Sequence, residues 1–390
     1  MILMKVGLFI DTWYPMVDGV IKVVDNYARR LVKYCDVVVF APETRGYKKE
    51  DDDALPYKVI RCSSIPIIGN DYDFPTPVLD PVFEAKVVLS GIDIVHIHSP
   101  FTVSMAGVLY AKLNKLPVVA TLHSQYRQDF EKPIKFKPAV DVAMDGIMSV
   151  FNACDECWAV NSGIKELYQK EYGLTAPCKV RLNATDHKPV ADPFAAAREV
   201  NEAYGIPADA TVLLFVGRIN FIKNIDFTVR ALAKAKELGL KNFRMLFVGK
   251  GQDEDKLAEL VSQMGLKDEV VMCGLVSGRE MLEKLYSRAK LFLFPSLYDA
   301  NSLVQIEAAC QGTPAVFLEG AKTAATVTPG VNGLVVSPAT EDAYARAVMD
   351  ILSDSEAYSK LSEAARRDLY LNWDDVVRDV YADYCRFVGK

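Results

Sequence analysis

Short runs of consecutive apolar residues recur along the chain, separated by stretches whose apolar positions repeat at helical spacing. The run at 5–10 ends in a turn. Residues 20–33 then place Val23, Val24, Tyr27, Ala28 and Leu31 on one face, and a second run follows at 37–40. This predicts a strand, a helix and a parallel strand. Runs at 93–98, 117–123, 157–160 and 179–181 predict further strands of the same sheet. Their apolar residues are consecutive, not alternating, so helices are expected to cover both faces. From 186 to 208 the pattern lapses, punctuated by Pro189, Pro193 and Pro207, which predicts a domain junction. A second series follows, with strands at 211–216, 244–248, 270–273, 291–294, 314–317 and 334–336, the last preceded by the turn pair Asn332-Gly333. Within it, a helix over 225–238 is expected to be capped by Asn224 and stopped by Gly239. Residues 340–390 read as helices, the last over 374–387 with Val376, Val377, Val380, Tyr381 and Tyr384. The expected fold class is α/β: two Rossmann-like, doubly wound domains over 1–190 and 208–370, facing one cleft beyond the carboxyl ends of their strands.

Composition narrows the function. A chain of 390 residues can build two cores. Its net charge of −6 argues against a nucleic-acid binder that works by bulk charge, so an anionic ligand would need cations placed locally. The eight cysteines show no small-scaffold disulfide spacing. The Cys154/Cys157 pair lies in an apolar run without a second such pair, so buried, inert thiols in a reducing compartment are expected. Residues 1–5 lead straight into the first strand without a cleavable leader pattern, and no apolar run approaches the roughly 20 residues of a membrane helix. A cytoplasmic protein is expected, with peripheral contact at the inner face of the membrane left open.

Polar groups gather at the predicted strand ends. The apolar run at 289–294 stops at Pro295-Ser296, and helical periodicity resumes near Ser302 with Leu303, Ile306, Ala309 and Cys310, closing at Gly312 and Pro314. Such a helix start offers free N–H groups and a positive dipole end, which suit a phosphate. Glu307 lies one turn beyond Leu303, placed to accept from ribose hydroxyls, and Asp299 stands ahead of the helix. After the strand at 211–216, Arg218 and Lys223 could both reach a diphosphate, one as a planar fork and the other as a point charge. Ordinary solvated cations are the alternative reading. Gly249-Lys250-Gly251 would let a backbone approach a base or phosphate closely, but has the spacing of neither a P-loop nor a dinucleotide fingerprint. His123 ends its strand and is expected to point into the cleft. His96 and His98 share one strand face, a spacing that would suit a metal, yet no carboxylate or cysteine cluster joins them and no metal site is expected.

Several motifs now combine. They are the Gly19 loop, His98 and Pro100, Thr121-x-His123, Asn161-Ser162, Asn183-x-Thr185-Asp186, Gly217-Arg218 with Lys223, Gly249-x-Gly251, Gly274, the acids Asp299 and Glu307, and Trp373-Asp374. Over nearly its whole length the chain resembles the retaining glycosyltransferases of family 4. The resemblance implies the GT-B fold, with an N-terminal acceptor domain, a C-terminal donor domain and a closing helix, about 373–390, that crosses back to the first domain. It implies metal-independent transfer of a hexose, with retained configuration, from a nucleoside-diphosphate sugar to a hydroxyl of a glycolipid or polysaccharide precursor. A UDP-hexose is the expected donor, and no cofactor beyond this co-substrate is implied. By the same resemblance Arg218 and Lys223 would hold the diphosphate as it leaves, the backbone at Leu303 and Val304 would add amides, and Glu307 would bind the ribose. Lys250 and Val276 would lie near the base, and Asp299 and Asn301 would touch the transferred sugar. His123 would sit near the anomeric centre and the acceptor, and Gly19 would leave room for the donor phosphate or acceptor.

Three departures qualify the resemblance. Asp299 stands where the family usually has Glu, Ala300-Asn301-Ser302 where Pro-Phe-Gly is common, and Asp18 where the first of two paired glycines is usual. Ser302 thus replaces a glycine that tolerates unusual dihedrals next to the donor. An inactive sugar-nucleotide-binding subunit, or another GT-B enzyme such as a sugar-nucleotide epimerase, is the alternative. Residues 126–150 carry Lys132, Lys135 and Lys137 beside Phe130, Phe136, Ile147 and Met148. They read as a loop and core helix, with contact to an anionic bilayer and a lipid acceptor as the alternative.

Overall fold

The computed structural model describes residues 4–16, 18–67 and 73–389. The chain divides into two compact units, Met1–Asn183 with Trp373–Lys390, and Ala184–Asn372.

The first unit runs β1 (Lys5–Phe9), α1 (Gly19–Leu31), β2 (Asp36–Pro42), α2 (Lys49–Asp53), β3 (Lys58–Cys62), β4 (Ser64–Ile65), β5 (Phe74–Pro75), α3 (Pro81–Ser90), β6 (Ile94–Ile97), α4 (Thr102–Asn114), β7 (Val118–Leu122), α5 (Tyr126–Glu131), α6 (Lys137–Asn152), β8 (Glu156–Ala159), α7 (Ser162–Lys170) and β9 (Cys178–Val180). Seven strands form one parallel sheet in the order β3-β2-β1-β6-β7-β8-β9, and β4 and β5 make a small antiparallel pair. One face of the sheet carries Phe9 stacked on Phe40, with Phe83 of α3 edge-on to Phe40. A Cβ on Gly107 would lie 2.7 Å from the Phe9 ring, so α4 rests directly on that aromatic. The opposite face carries His96 and His98, covered by Tyr27 of α1. Strand β3 was not legible as a strand because Arg61 interrupts its apolar run. That guanidinium is buried, held by both oxygens of Asp52 at 2.7 and 2.9 Å. A charge paired in this way can sit in a core position that a lone charge could not.

The second unit runs α8 (Pro193–Tyr204), β10 (Thr211–Val216), α9 (Ile225–Glu237), β11 (Phe243–Val248), α10 (Glu254–Gln263), β12 (Val270–Gly274), α11 (Arg279–Arg288), β13 (Leu291–Leu293), α12 (Leu303–Cys310), β14 (Ala315–Leu318), β15 (Leu334–Val336), α13 (Glu341–Ser353) and α14 (Ser355–Leu369). Its six strands are parallel in the order β12-β11-β10-β13-β14-β15. The stretch at 186–208, expected to be a junction, contains α8 and groups with this unit. Asp192 caps the helix by accepting from the amides of Phe194 and Ala195, Pro193 occupies its first turn, and Gly205 ends it in the left-handed region. Pro193 therefore marks a helix start, where its missing N–H costs nothing. Asn224 also differs from expectation. It precedes α9 at φ 59° but makes no side-chain cap, and its amide instead donates to the carbonyl of Pro295 at 3.2 Å.

The closing helix α15 (Trp373–Val388) belongs to the first unit. It is pinned there by Tyr384 Oη against His96 Nδ1 at 2.5 Å, by Lys33 to Asp374 at 2.7 Å and by Arg181 to Asp383.

Candidate active site

In the second sheet the chain builds outward from β10 to β11 and β12, then returns to add β13 on the other side of β10. The carboxyl ends of β10 and β13 therefore bound the reversal point, where open parallel sheets hold their ligands. The loop after β10 carries Arg218 and Lys223, and the loop after β13 carries Asp299, Asn301 and Ser302. The two loops are tied together. Asn224 reaches Pro295 as described, and the Lys223 ammonium donates to Asp299 Oδ1. Asp299 Oδ2 accepts from Ser296 Oγ at 2.5 Å. Arg218 is exposed and forms no ion pair among the described residues.

Ser302 precedes α12 without making a side-chain cap to it. Its hydroxyl, with Asn301 Nδ2, is buried without a hydrogen-bond partner among the described residues. Buried polar atoms are nearly always paired, and at the positive end of a helix these two are available to an anionic or polyhydroxylated partner. Leu303 and Val304 begin that helix. Ser302 lies at φ −121° and ψ 107°, extended backbone that any residue adopts, so replacing the family's usual glycine introduces no backbone strain. One turn on, Glu307 Oε2 accepts from Tyr286 Oη at 2.8 Å, and His187 Nε2 lies 3.8 Å from Oε1. Tyr286 and His187 escaped the sequence reading. Tyr286 reads as one more apolar position of its helix, and no spacing links either residue to Glu307.

The glycines after β11 act differently from expectation. A Cβ on Gly249 would lie 1.9 Å from the carbonyl oxygen of Gly217, and one on Gly251 would lie 2.1 Å from that of Ile219. The close approach they permit is between two loops of the protein, sealed by Ile219 N–H to the Lys250 carbonyl at 3.1 Å and Gly217 N–H to the Val248 carbonyl at 2.9 Å, while Gly249 N–H reaches the Gly274 carbonyl at the end of β12 at 2.8 Å. These contacts set the backbone beneath Arg218 and Lys250. Lys250 itself is exposed, and Val276, beyond β12, packs partly buried against the core.

The first sheet reverses between β1 and β6. Gly19 opens α1 after the loop from β1, and a Cβ there would meet nothing within 4 Å, so the space beside it is open. Asp18, in place of a second glycine, turns its carboxylate onto the Ile21 amide at 2.8 Å and caps the helix. After β6 and β7, His98 Nδ1 and His123 Nε2 lie 3.1 Å apart. His96 is engaged at both ring nitrogens, by Tyr384 and by Thr121 Oγ1 at 2.7 Å. Burial lowers His123 to about 3 and drives His96 and His98 well below the usual imidazole range, so all three rings are neutral. Cys154 and Cys157 are buried free thiols.

The structure thus groups Arg218, Lys223, Asp299, Asn301, Ser302, Leu303, Val304 and Glu307 at one strand reversal, with Lys250 and Val276 in the loops that follow the neighbouring strands β11 and β12. Gly19 follows β1 at the corresponding reversal of the first unit, and His123 follows β7, one strand beyond β6.

The family described as Glycosyltransferase Family 4 matches residues 17–188, and that described as Glycosyl transferases group 1 matches residues 197–368. The chain belongs to the family-4 glycosyltransferases. This glycosyltransferase is 32% identical to an uncharacterised glycosyltransferase of Methanocaldococcus jannaschii over 182 residues, 46% of each chain. It is 24% identical to the alpha-monoglucosyldiacylglycerol synthase of Acholeplasma laidlawii, over 98% of this chain and 96% of that one. Among solved structures, the sucrose-phosphate synthase of Thermosynechococcus elongatus superposes with a TM-score of 0.78 at 20% identity, covering 99% of both chains. The Anabaena protein HepE in complex with UDP gives 0.77 at 17%, covering 98% of this glycosyltransferase and 100% of HepE. At these identities the likeness establishes the GT-B fold.

Proposed function

We propose that this enzyme transfers a hexose from a nucleoside-diphosphate sugar, a UDP-hexose being the first to test, to a hydroxyl acceptor with retention of configuration. The observation that carries this reading is the start of α12, where two orphaned polar side chains meet an uncapped helix end beside Lys223. A diphosphate leaving group gathers negative charge as the glycosidic bond breaks, and preorganised donors aimed at that charge are the largest source of rate in such a site. Arg218, Lys223 and the amides of Leu303 and Val304 supply them, which is why the reading requires no metal. When donor binds, the Lys223 ammonium moves from Asp299 to the phosphate, and Asp299 and Asn301 accept and donate to sugar hydroxyls. Glu307, steadied by Tyr286, takes the ribose hydroxyls, while Lys250 and Val276 border the base. Asp299 Oδ2 is held by Ser296 Oγ, and the proposed role of the carboxylate is to bind sugar hydroxyls, not to attack the anomeric carbon. The route proposed is front-face attack, with the acceptor proton passing to the departing phosphate.

A lipid hydroxyl is the acceptor we place first, supported by the likeness to the alpha-monoglucosyldiacylglycerol synthase of Acholeplasma laidlawii. No helix among the described residues is long and apolar enough to cross a membrane. In residues 126–150, expected to be a loop and core helix, Ile147 and Met148 are buried in the core of the first unit, while Phe136, Val142 and the three lysines are exposed. Further exposed apolar side chains lie on α4 and the segment before α3, at Met105, Leu109, Leu113, Val78 and Leu79.

The test is a panel of sugar nucleotides with lipid extract, run with wild type and Lys223→Ala. Lys223→Ala should lower turnover on the order of 100-fold while donor binding weakens far less. Near-normal turnover in the variant removes Lys223 from the leaving-group role, and a donor inverted or isomerised without any acceptor favours the epimerase alternative.

A further inference from the structure

His96, His98, Thr121 and His123 alternate along β6, β7 and the residue beyond, so all four side chains lie on the sheet face covered by α1 and α15. There the rings of His96 and His98 pack 4.1 Å apart, and those of His98 and His123 are stacked at 5.4 Å. His98 is fully buried, whereas His123 is partly exposed. One hydrogen bond joins His98 Nδ1 to His123 Nε2, at 3.1 Å. The other nitrogen of His98, Nε2, is buried without a partner among the described residues.

Two neutral imidazoles sharing one hydrogen bond have only two arrangements. Either His98 carries its proton on Nδ1 and donates, or His123 carries its proton on Nε2 and donates. In the second arrangement the proton of His98 sits on Nε2, leaving a buried N–H with no oxygen or nitrogen acceptor. In the first, the unpartnered atom is a bare acceptor, and orphaned buried N–H groups are the rarer and costlier case.

We propose that His98 is a positioning residue that donates from Nδ1 to His123 Nε2 and so fixes the proton of His123 on Nδ1. This rests on the reading that His123 serves glycosyl transfer. It changes what His123 does there: with Nε2 occupied and Nδ1 protonated, the ring offers an N–H donor to a sugar or acceptor oxygen and has no free lone pair with which to act as a base. The acceptor proton must then leave by another route, in keeping with its passage to the departing diphosphate.

The chain has only four histidines, so the full-length protein labelled with nitrogen-15 in histidine gives four ring patterns in long-range proton–nitrogen spectra. At neutral pH, both His98 and His123 should show the Nδ1–H tautomer, with assignment through His98→Asn and His123→Asn. His98→Leu should release His123 into a mixture of tautomers and lower kcat about tenfold or more, the scale on which outer hydrogen bonds to a functional imidazole act. His98→Asn places an amide N–H near the lost Nδ1–H and should restore most of that loss, while His98→Gln, whose amide lies near Nε2, should not. Tryptophan fluorescence controls for folding, because Trp13, Trp158 and Trp373 all belong to the first unit, as His98 does. An Nε2–H signal for wild-type His123 overturns the proposal, as does a His98→Leu protein with His123 and kcat unaltered. If His98→Leu does not fold, the wild-type tautomers decide alone. If His123→Ala retains full activity while the tautomers are as described, the assignment stands and the catalytic reading of His123 falls.

Discussion

The hydroxyl of Tyr286 is the kind of group on which a nucleotide site depends without touching the reacting atoms. It is buried, and it holds one oxygen of Glu307 at 2.8 Å, leaving the rest of that carboxylate for a diol. Removing it in Tyr286→Phe deletes a hydrogen bond to a charged group, a contact of about 1.5–3 kcal/mol at most. Because a ribose is bound alike in ground and transition states, the expected result is roughly a tenfold weaker donor KM with kcat within about twofold. Calorimetry with UDP checks this, and an unchanged affinity would move the ribose away from Glu307. At this scale the sequence spoke clearly for Arg218, Lys223, Asp299 and Glu307, since each follows a strand end that the apolar pattern marks. It was silent on Tyr286 and His187, whose roles arise from packing between α11, the segment before α8 and α12.

Glycines separate the elements that serve the fold from those that serve the ligand. Gly249 lies at φ 139° with the Gly217 carbonyl where its Cβ would be, so Gly249→Ala must displace one loop from the other. A loss of a few kcal/mol in stability is expected, within about 1–5 kcal/mol for a strained, overpacked position. Gly19→Ala meets open space at a helix start and should change stability by less than about 0.5 kcal/mol. If Gly19 borders a substrate, the same substitution raises KM. Urea denaturation of both variants, set beside their kinetics, distinguishes the two kinds. The motif Gly249-x-Gly251 was visible in the sequence, but its partner was not, because a glycine's spacing does not say whether a ligand or another loop comes close. The same limit explains α8: prolines 189, 193 and 207 read as interruptions, whereas the Asp192 side chain shows Pro193 to be a helix start.

On the scale of the molecule, the succession of apolar strands made the two Rossmann-like halves legible, and the resemblance anticipated the return of α15 to the first unit. Hidden from both was the buried polar layer that α15 closes, with His96, His98 and Tyr384 at its centre. That layer has a thermodynamic consequence. His96, His98 and His123 have their pKa values lowered by burial, so below about pH 6.5 the unfolded chain takes up protons that the folded chain refuses. Stability should therefore fall between about pH 6.5 and 5, by up to about 1.4 kcal/mol per pH unit for each histidine. Unfolding followed at Trp158, which packs on His96, reports this, and a midpoint that is flat or rises on acidification would contradict it.

The central claim concerns where a diphosphate rests, and a crystal structure of the full chain with UDP tests it most directly. The diphosphate is predicted within hydrogen-bond reach of Arg218, Lys223 and the amides of Leu303 and Val304, with the ribose hydroxyls on Glu307. A nucleotide bound with its phosphates away from the start of α12 would contradict the account.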